Sequence, residues 1–454
     1  MKLFILITFL SLTSIGFAQS SNANSIHDLV NETLTNGTEY TNLRMLCKQV
    51  GQRLSGSPQF IKAVKLVETM MRNAGADTVY LQKCLVPHWT RGEKEQGKLI
   101  LNNGRKYALN LCALGTSIGT GVKGISATVV EVKNMDELKA LGGSVKGKIV
   151  FFNLRMNPTH INTFRAYGES GVARRSGAAQ ASKYGAIGVI VRSLAINLND
   201  FPHTGAMRYN DSFPKIPAVA ISTNDAEFLS KELKKGSVGA YFRTTCQTLP
   251  DAVGYNVVGE LKGTQFPEEI ITVGGHLDSW DLAEGANDDG SGVVQGIEVL
   301  RCIKAAKGRP KRTIRAVAFA NEEISGTGGA KYMEEAKAKH EQHIFALESD
   351  EGGFTPRGFS LEMPEAQQNI IKGWKELFYP YGVYAIESGG SGSDVEHLKE
   401  LGTPLAGLNT DTQRYFDIHH AATDVFENVS ERELKLGAAN MAGLIWLVSE
   451  YGLK

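Results

Sequence analysis

The 454-residue chain has few cysteines, almost no net charge and no second long apolar run. Its five cysteines, Cys47, Cys84, Cys112, Cys246 and Cys302, are scattered, odd in number and without short paired spacing. That excludes a cysteine framework as the basis of the fold; one disulfide has room in an oxidising compartment, and most read as small buried side chains. Lys and Arg number 49 against 48 Asp and Glu, so no net field argues for nucleic acid or an anionic membrane as partner. Beyond the amino terminus no apolar run is long enough to span a bilayer. Glycine is abundant, 49 residues clustered around candidate site loops, which points to turns rather than low complexity.

Residues 1–18 read as an export signal: Lys2 supplies the positive start, Leu3 to Leu12 the apolar stretch, and Gly16-Phe17-Ala18 a small-x-small cleavage site before Gln19. From Ser25 to about Gly75, Leu29, Leu43, Leu46, Val64, Val67 and Met70 recur at helical spacing, followed by strands near Thr78 to Leu85 and Lys98 to Leu101. The texture changes near Thr116. Short apolar strands at Ile125 to Val132, Val145 to Phe152 and Ile216 to Ile221 carry no concentrated set of metal ligands, and this block resembles a β-rich protease-associated insert. The expected organisation is therefore a signal at 1–18, a first part of the main domain at 19–115, an insert at 116–248 and a second part at 249–454. In that second part continuous apolar strands alternate with helices, which predicts an α/β fold of three layers, α/β/α, around a largely parallel central mixed sheet. Such sheets place ligands outside the carboxyl ends of their strands.

Five metal-liganding side chains fall there: His276, Asp288, Glu323, Asp350 and His420. Each alone has an ordinary reading. His276, in Gly274–Ser279, passes for a hydrogen-bonded core histidine; here two glycines allow a tight turn and Asp278 is placed to receive the proton of the other ring nitrogen. Asp288, in Gly285–Gly292, could cap the helix that follows, but Asn287, Asp288 and Asp289 are more than one cap requires. Glu322 and Glu323 follow the strand Thr313 to Ala320 directly, so one can bind metal while its neighbour faces the reacting water, and crowding of like charge suits the unliganded one to act as a base. Asp350 ends the run from Ile344. Either His419 or His420 can ligate, with Asp424 steadying the loop or orienting an imidazole. Imidazoles and carboxylates together suit zinc, and a shared carboxylate suits a two-metal hydrolase.

The segments Gly275–Asp281, Asn287–Gly290, Asn321–Glu323, Glu348–Asp350 and His420-x-x-x-Asp424 resemble, in order, the cocatalytic zinc peptidases that include aminopeptidases and glutamate carboxypeptidases. The likeness runs over essentially the whole mature chain. It implies two Zn2+ per chain, one on His276 and Asp350, the other on Glu323 and His420, with Asp288 bridging. It also implies Glu322 as general base, Asp278 as the residue that orients the His276 imidazole, a cis peptide at Asp288–Asp289, and Tyr415 as donor to the oxyanion. Gly389–Asp394 resembles a substrate-side loop, which makes Ser393 and Asp394 candidate substrate contacts. The histidine and aromatic residues that flank that loop in exported dipeptidases of the group are absent, so terminus preference stays open. The expected activity is hydrolysis of dipeptides or short peptides, and the resemblance also suggests a homodimer. The alternatives are an aminopeptidase on longer peptides, a glutaminyl cyclase with one zinc, and a binding module that has lost its metals; the complete ligand set argues against the last two.

Overall fold

A computed structural model describes residues 21–454; the expected export signal lies outside the described residues. Among the described residues sixteen strands form two eight-stranded sheets. In chain order, β1 (Thr78–Thr90) belongs to the first sheet. The second sheet takes β2 (Gln96–Ile100), β3 (Lys106–Ala108), β4 (Leu111–Ala113), β5 (Ile125–Val132), β6 (Ile149–Phe152), β7 (Gly188–Arg192), β8 (Ala218–Ile221) and β9 (Gly239–Arg243). The first sheet then resumes with β10 (Gln247–Leu261), β11 (Phe266–His276), β12 (Arg312–Phe319), β13 (Gln342–Glu348), β14 (Pro356–Glu362), β15 (Ala385–Ser388) and β16 (Leu405–Thr410).

The order of the first sheet is β1-β10-β12-β11-β13-β16-β14-β15. Its centre, β12-β11-β13-β16, is parallel throughout; β1 pairs antiparallel with β10, β10 with β12 and β14 with β16, and β15 at the edge runs parallel to β14. Both faces are covered, and β12 shows how. Ile314, Ala316 and Ala318 enter the main core with the helices Pro58–Asn73, Ser291–Lys307 and Glu431–Tyr451, whereas Val317 and Phe319 face Tyr332, Val395 and Leu398 on the other side. A strand buried on both faces reads as a continuous apolar run, the signal visible in its sequence. The edge strand β15 and its neighbour β14, not expected from sequence, carry polar residues such as Arg357, Ser360, Glu387 and Ser388, so no apolar run announces them.

The second sheet departs from expectation in extent and content. It begins at Gln96, ahead of the boundary expected at 116, because β2 pairs with β9 and the three-residue β4 with β8. It is not simply β-rich, since the helices Met135–Leu141, Thr163–Ser170, Val172–Lys183 and Thr223–Leu233 lie within its span. Alanine and charged residues give the helix Val172–Lys183 weak apolar periodicity. All five cysteines are buried and free, which removes the disulfide the sequence left room for.

Candidate metal centre

Four adjacent parallel strands, β12, β11, β13 and β16, build the site at their carboxyl ends. Two of the five candidate ligands, His276 and Asp288, come from the end of β11 and the loop after it, so the set uses four strand ends. The glycines before His276 make no turn, because Gly274 and Gly275 lie inside β11. They permit close approach: a Cβ on Gly275 would sit 2.0 Å from an oxygen of Asp289. That oxygen accepts from the His276 backbone N–H at 3.0 Å, while the other Asp289 oxygen accepts from Gly292 at 2.8 Å and caps the helix. Asp289 thus takes the capping role, and Asp288 is released toward the site across a cis peptide bond.

Asp288 is the hinge of the geometry. Its Oδ1 lies 3.1 Å from His276 Nε2, which is 3.0 Å from Asp350 Oδ1. Its Oδ2 lies 3.2 Å from His420 Nε2, which is 3.1 Å from Glu323. Donor atoms around a tetrahedral zinc, each about 2.0–2.1 Å from the ion, are roughly 3.3 Å apart, so both constellations fit a cation between their members. His419 stacks on His420 with ring centroids 3.6 Å apart, but its Nε2 is 3.7 Å from Asp288, and His420 holds the nearer position. Asp288 with His276 and Asp350, and Asp288 with His419 and His420, each bring their donor atoms within 4.8 Å of one another.

The electrostatics argue for cations in the same place. Burial and the adjacent Asp288 charge push Glu323 up to about 8, and its Oε1 is buried without a hydrogen-bond partner. Burial disfavours a charged His276, yet Asp288 and Asp350 outweigh it and hold the imidazole well above its ordinary range. Four carboxylates, those of Asp288, Glu322, Glu323 and Asp350, crowd around imidazoles that cannot neutralise them all. A divalent pair would relieve that crowding.

The supporting contacts revise one expectation and decide between two others. His276 Nδ1 donates at 3.0 Å to the main-chain carbonyl of Asp278, not to its carboxylate, whose nearer oxygen is 3.8 Å away. The carboxylate instead accepts from the Glu322 backbone N–H at 3.1 Å and so fixes the residue expected to act as base. Asp424 accepts from the backbone N–H groups of Asn287 at 2.8 Å and Asp288 at 3.1 Å; it steadies the loop rather than an imidazole. Asn321, just before the glutamate pair, and His420 adopt left-handed backbone angles, φ 62° and 60°. Asn321 is held there by its amide donating to Ser325 and Thr327. Non-glycine residues in that region concentrate at functional sites.

A cavity of about 440 Å³ opens over the centre. Asp288, Glu322, Glu323, Asp350, His420, Tyr415 and Ser393 line it. Asp394 does not: its carboxylate is fully buried behind the loop, both oxygens unpartnered, beside Glu348. The loop therefore offers Ser393 to the cavity and keeps Asp394 within the protein.

The sequence pattern of peptidase family M28 matches residues 256–445. Over 412 residues, 90% of this chain and 85% of the relative, the sequence is 33% identical to carboxypeptidase Q of Mus musculus. The chain belongs to peptidase family M28. Carboxypeptidase Q of Xenopus laevis is 35% identical over 94% of this chain and 88% of its own length. Among solved structures, a peptidase M28 precursor from Shewanella amazonensis SB2B superposes with a TM-score of 0.91 at 32% identity, covering 95% of this chain and 97% of that one. BSAP, a zinc aminopeptidase from Bacillus subtilis, shares the fold with a TM-score of 0.64 at 21% identity, covering 90% of this chain and 94% of that one. The chain is thus an M28 metallopeptidase. Among its described residues no helix is long and apolar enough to cross a membrane.

The M28 cavity also has walls that the sequence did not reveal. Phe164, Tyr167, Arg174, Arg175 and Arg208, all from the second sheet's part of the chain, face the centre. Nothing in their local spacing marks them; only the packing of that part against the helix Tyr415–Ile418 brings them there, through Phe164 and Tyr167 against Phe416.

Proposed function

We propose that this chain is an exported exopeptidase that hydrolyses dipeptides or short peptides with two zinc ions. The second-sheet region serves as a protease-associated insert. The observation that carries the reading is Asp288, whose two oxygens face two separate imidazole–carboxylate pairs at 3.1 and 3.2 Å. His276 and Asp350 would hold one zinc, Glu323 and His420 the other, with Asp288 shared. Bound there, zinc supplies Lewis acidity, which acidifies water and polarises the scissile carbonyl.

The chain's own groups do the rest. Glu322, fixed through its backbone by Asp278, takes the proton of the attacking water and returns it to the leaving amine. Burial and the neighbouring carboxylates hold the Tyr415 hydroxyl well above its ordinary pKa, so it stays protonated and can donate to the oxyanion. A dipeptide panel with metal counting on the same sample tests the reading: two zincs per chain, hydrolysis lost to a chelator and restored by zinc are expected. One zinc with cyclisation of amino-terminal glutamine would overturn it. A homodimer, suggested by the resemblance alone, fails if sedimentation gives a monomer at micromolar concentration.

A further inference from the structure

His420 sits on a strained backbone, and what holds it comes from the other part of the chain. Its φ of 60° lies in the left-handed region. Its carbonyl accepts the backbone N–H of Thr204 at 3.0 Å, and its Nδ1 lies 3.3 Å from the Thr204 carbonyl oxygen. An imidazole that offers Nε2 to a metal carries its proton on Nδ1 and donates it to such an acceptor. Arg174 Nη1, also 3.3 Å from that nitrogen, is itself a donor, which leaves the Thr204 carbonyl as the acceptor. One residue thus grips His420 twice, at the main chain and at the ring. His276 is held differently, because its carbonyl acceptor belongs to Asp278 in its own loop.

Thr204 is fully buried and anchored in turn. Its hydroxyl donates to the Ala113 carbonyl at 2.9 Å and accepts from Arg91 Nη2 at 3.3 Å. Arg91 grips Asp281, on the loop between His276 and Asp288, through two contacts of 2.9 and 2.5 Å. The residue after Thr204 leaves no room for a side chain: a Cβ on Gly205, at φ 131°, would sit 2.7 Å from His420 Nδ1 and 2.5 Å from Arg174 Nη1. The adjacent imidazole lacks such support. His419 stacks on His420 with ring centroids 3.6 Å apart, yet its Nδ1 is buried without a hydrogen-bond partner. Nothing places its ring proton, which is what fixes the tautomer and orientation of a ligating histidine.

We infer that Thr204 and Gly205, from the second sheet's part of the chain, form a positioning clamp that selects His420 over His419 as the ligand beside Glu323. The inference rests on the two-zinc reading above and adds that one of the two sites is completed across the boundary between the sheets. The site of His276 and Asp350 does not touch the clamp, so the two sites should respond separately.

The test measures zinc per chain and both zinc affinities by chelator competition on the full chain, with unfolding of the metal-free protein as the check on structure. In Gly205→Ala one affinity should fall ~10–100-fold while the other holds. Thr204→Val should weaken the same site less, and Thr204→Ser should restore it. His420→Gln should lose that zinc outright, His419→Gln should keep both, and Thr204→Val added to His420→Gln should leave the remaining affinity unchanged. Both affinities falling together, or neither falling, overturns the clamp, and so does loss of a zinc from His419→Gln. If Gly205→Ala does not fold, Thr204→Val against Thr204→Ser decides. Should the parent hold a single zinc, the two-metal reading falls; the clamp survives if His420→Gln and Thr204→Val both weaken that zinc, and falls otherwise.

Discussion

The two sheets contribute opposite charges to one cavity. The first sheet supplies carboxylates and imidazoles from the ends of β12, β11, β13 and β16; the part of the chain that holds the second sheet supplies Arg174, Arg175 and Arg208 with Phe164 and Tyr167. Neither group is neutralised within its own part. The far end of the first sheet behaves differently. There Arg315 bonds both Glu260 and Glu341 at 2.7 Å, and His343 and Arg315 hold Glu341 down at about 2 although burial works against it. Charges that only support the fold are paired on the spot, whereas charges around the cavity are left for ions and substrate.

Four substitutions sharpen or break that contrast. Glu322→Gln removes only the proton shuttle, so turnover should fall ~10²–10⁴-fold while metal analysis still finds two zincs; near-normal hydrolysis would show that Glu322 is not the base. Asp424→Asn weakens the support of the Asn287 and Asp288 backbones, and zinc affinity by chelator competition should fall ~10–100-fold. Arg315→Met leaves two glutamates without their partner and should cost ~1–3 kcal/mol in denaturant unfolding. Its kcat/KM should stay within about twofold of the parent, as expected for a charge that serves folding alone.

The smallest effect concerns Glu39, where burial and the neighbouring Glu298 raise the carboxyl from 4.5 to about 9. The folded state keeps that proton while the unfolded chain loses it above 4.5. Stability is therefore full below the lower value and drains away as pH rises toward the upper one. In Glu39→Gln the melting temperature should decline less steeply across that window, and parallel slopes would count against the assignment.

Much of this could be seen before any coordinates, and the reason differs by element. Strands such as Thr313 to Ala320 were legible because burial on both faces demands an unbroken apolar run. β14 and β15 were not, since strands near an edge can carry polar residues at little cost. His276, Asp288, Glu323, Asp350 and His420 could be picked out because polar residues past apolar strands have few other uses, and the structure brings all five together. The glycines before His276 were misjudged as a turn because close packing against Asp289 leaves no local mark. Asp394 was offered to substrate because its loop resembles a substrate-side loop of the family, and burial beside Glu348 is a matter of long-range packing.

The order of residues along this chain determined the strands, the ligand types and the kind of metal they favour, because those follow from short-range periodicity and donor chemistry. The tertiary structure alone decided which imidazole nitrogen faces which oxygen, that Asp278 steadies Glu322 through its backbone, and that guanidinium groups from a distant segment close the cavity. Such pairings join residues up to 246 positions apart, as Arg174 and His420 are, and no local pattern encodes a contact made only when two sheets pack together.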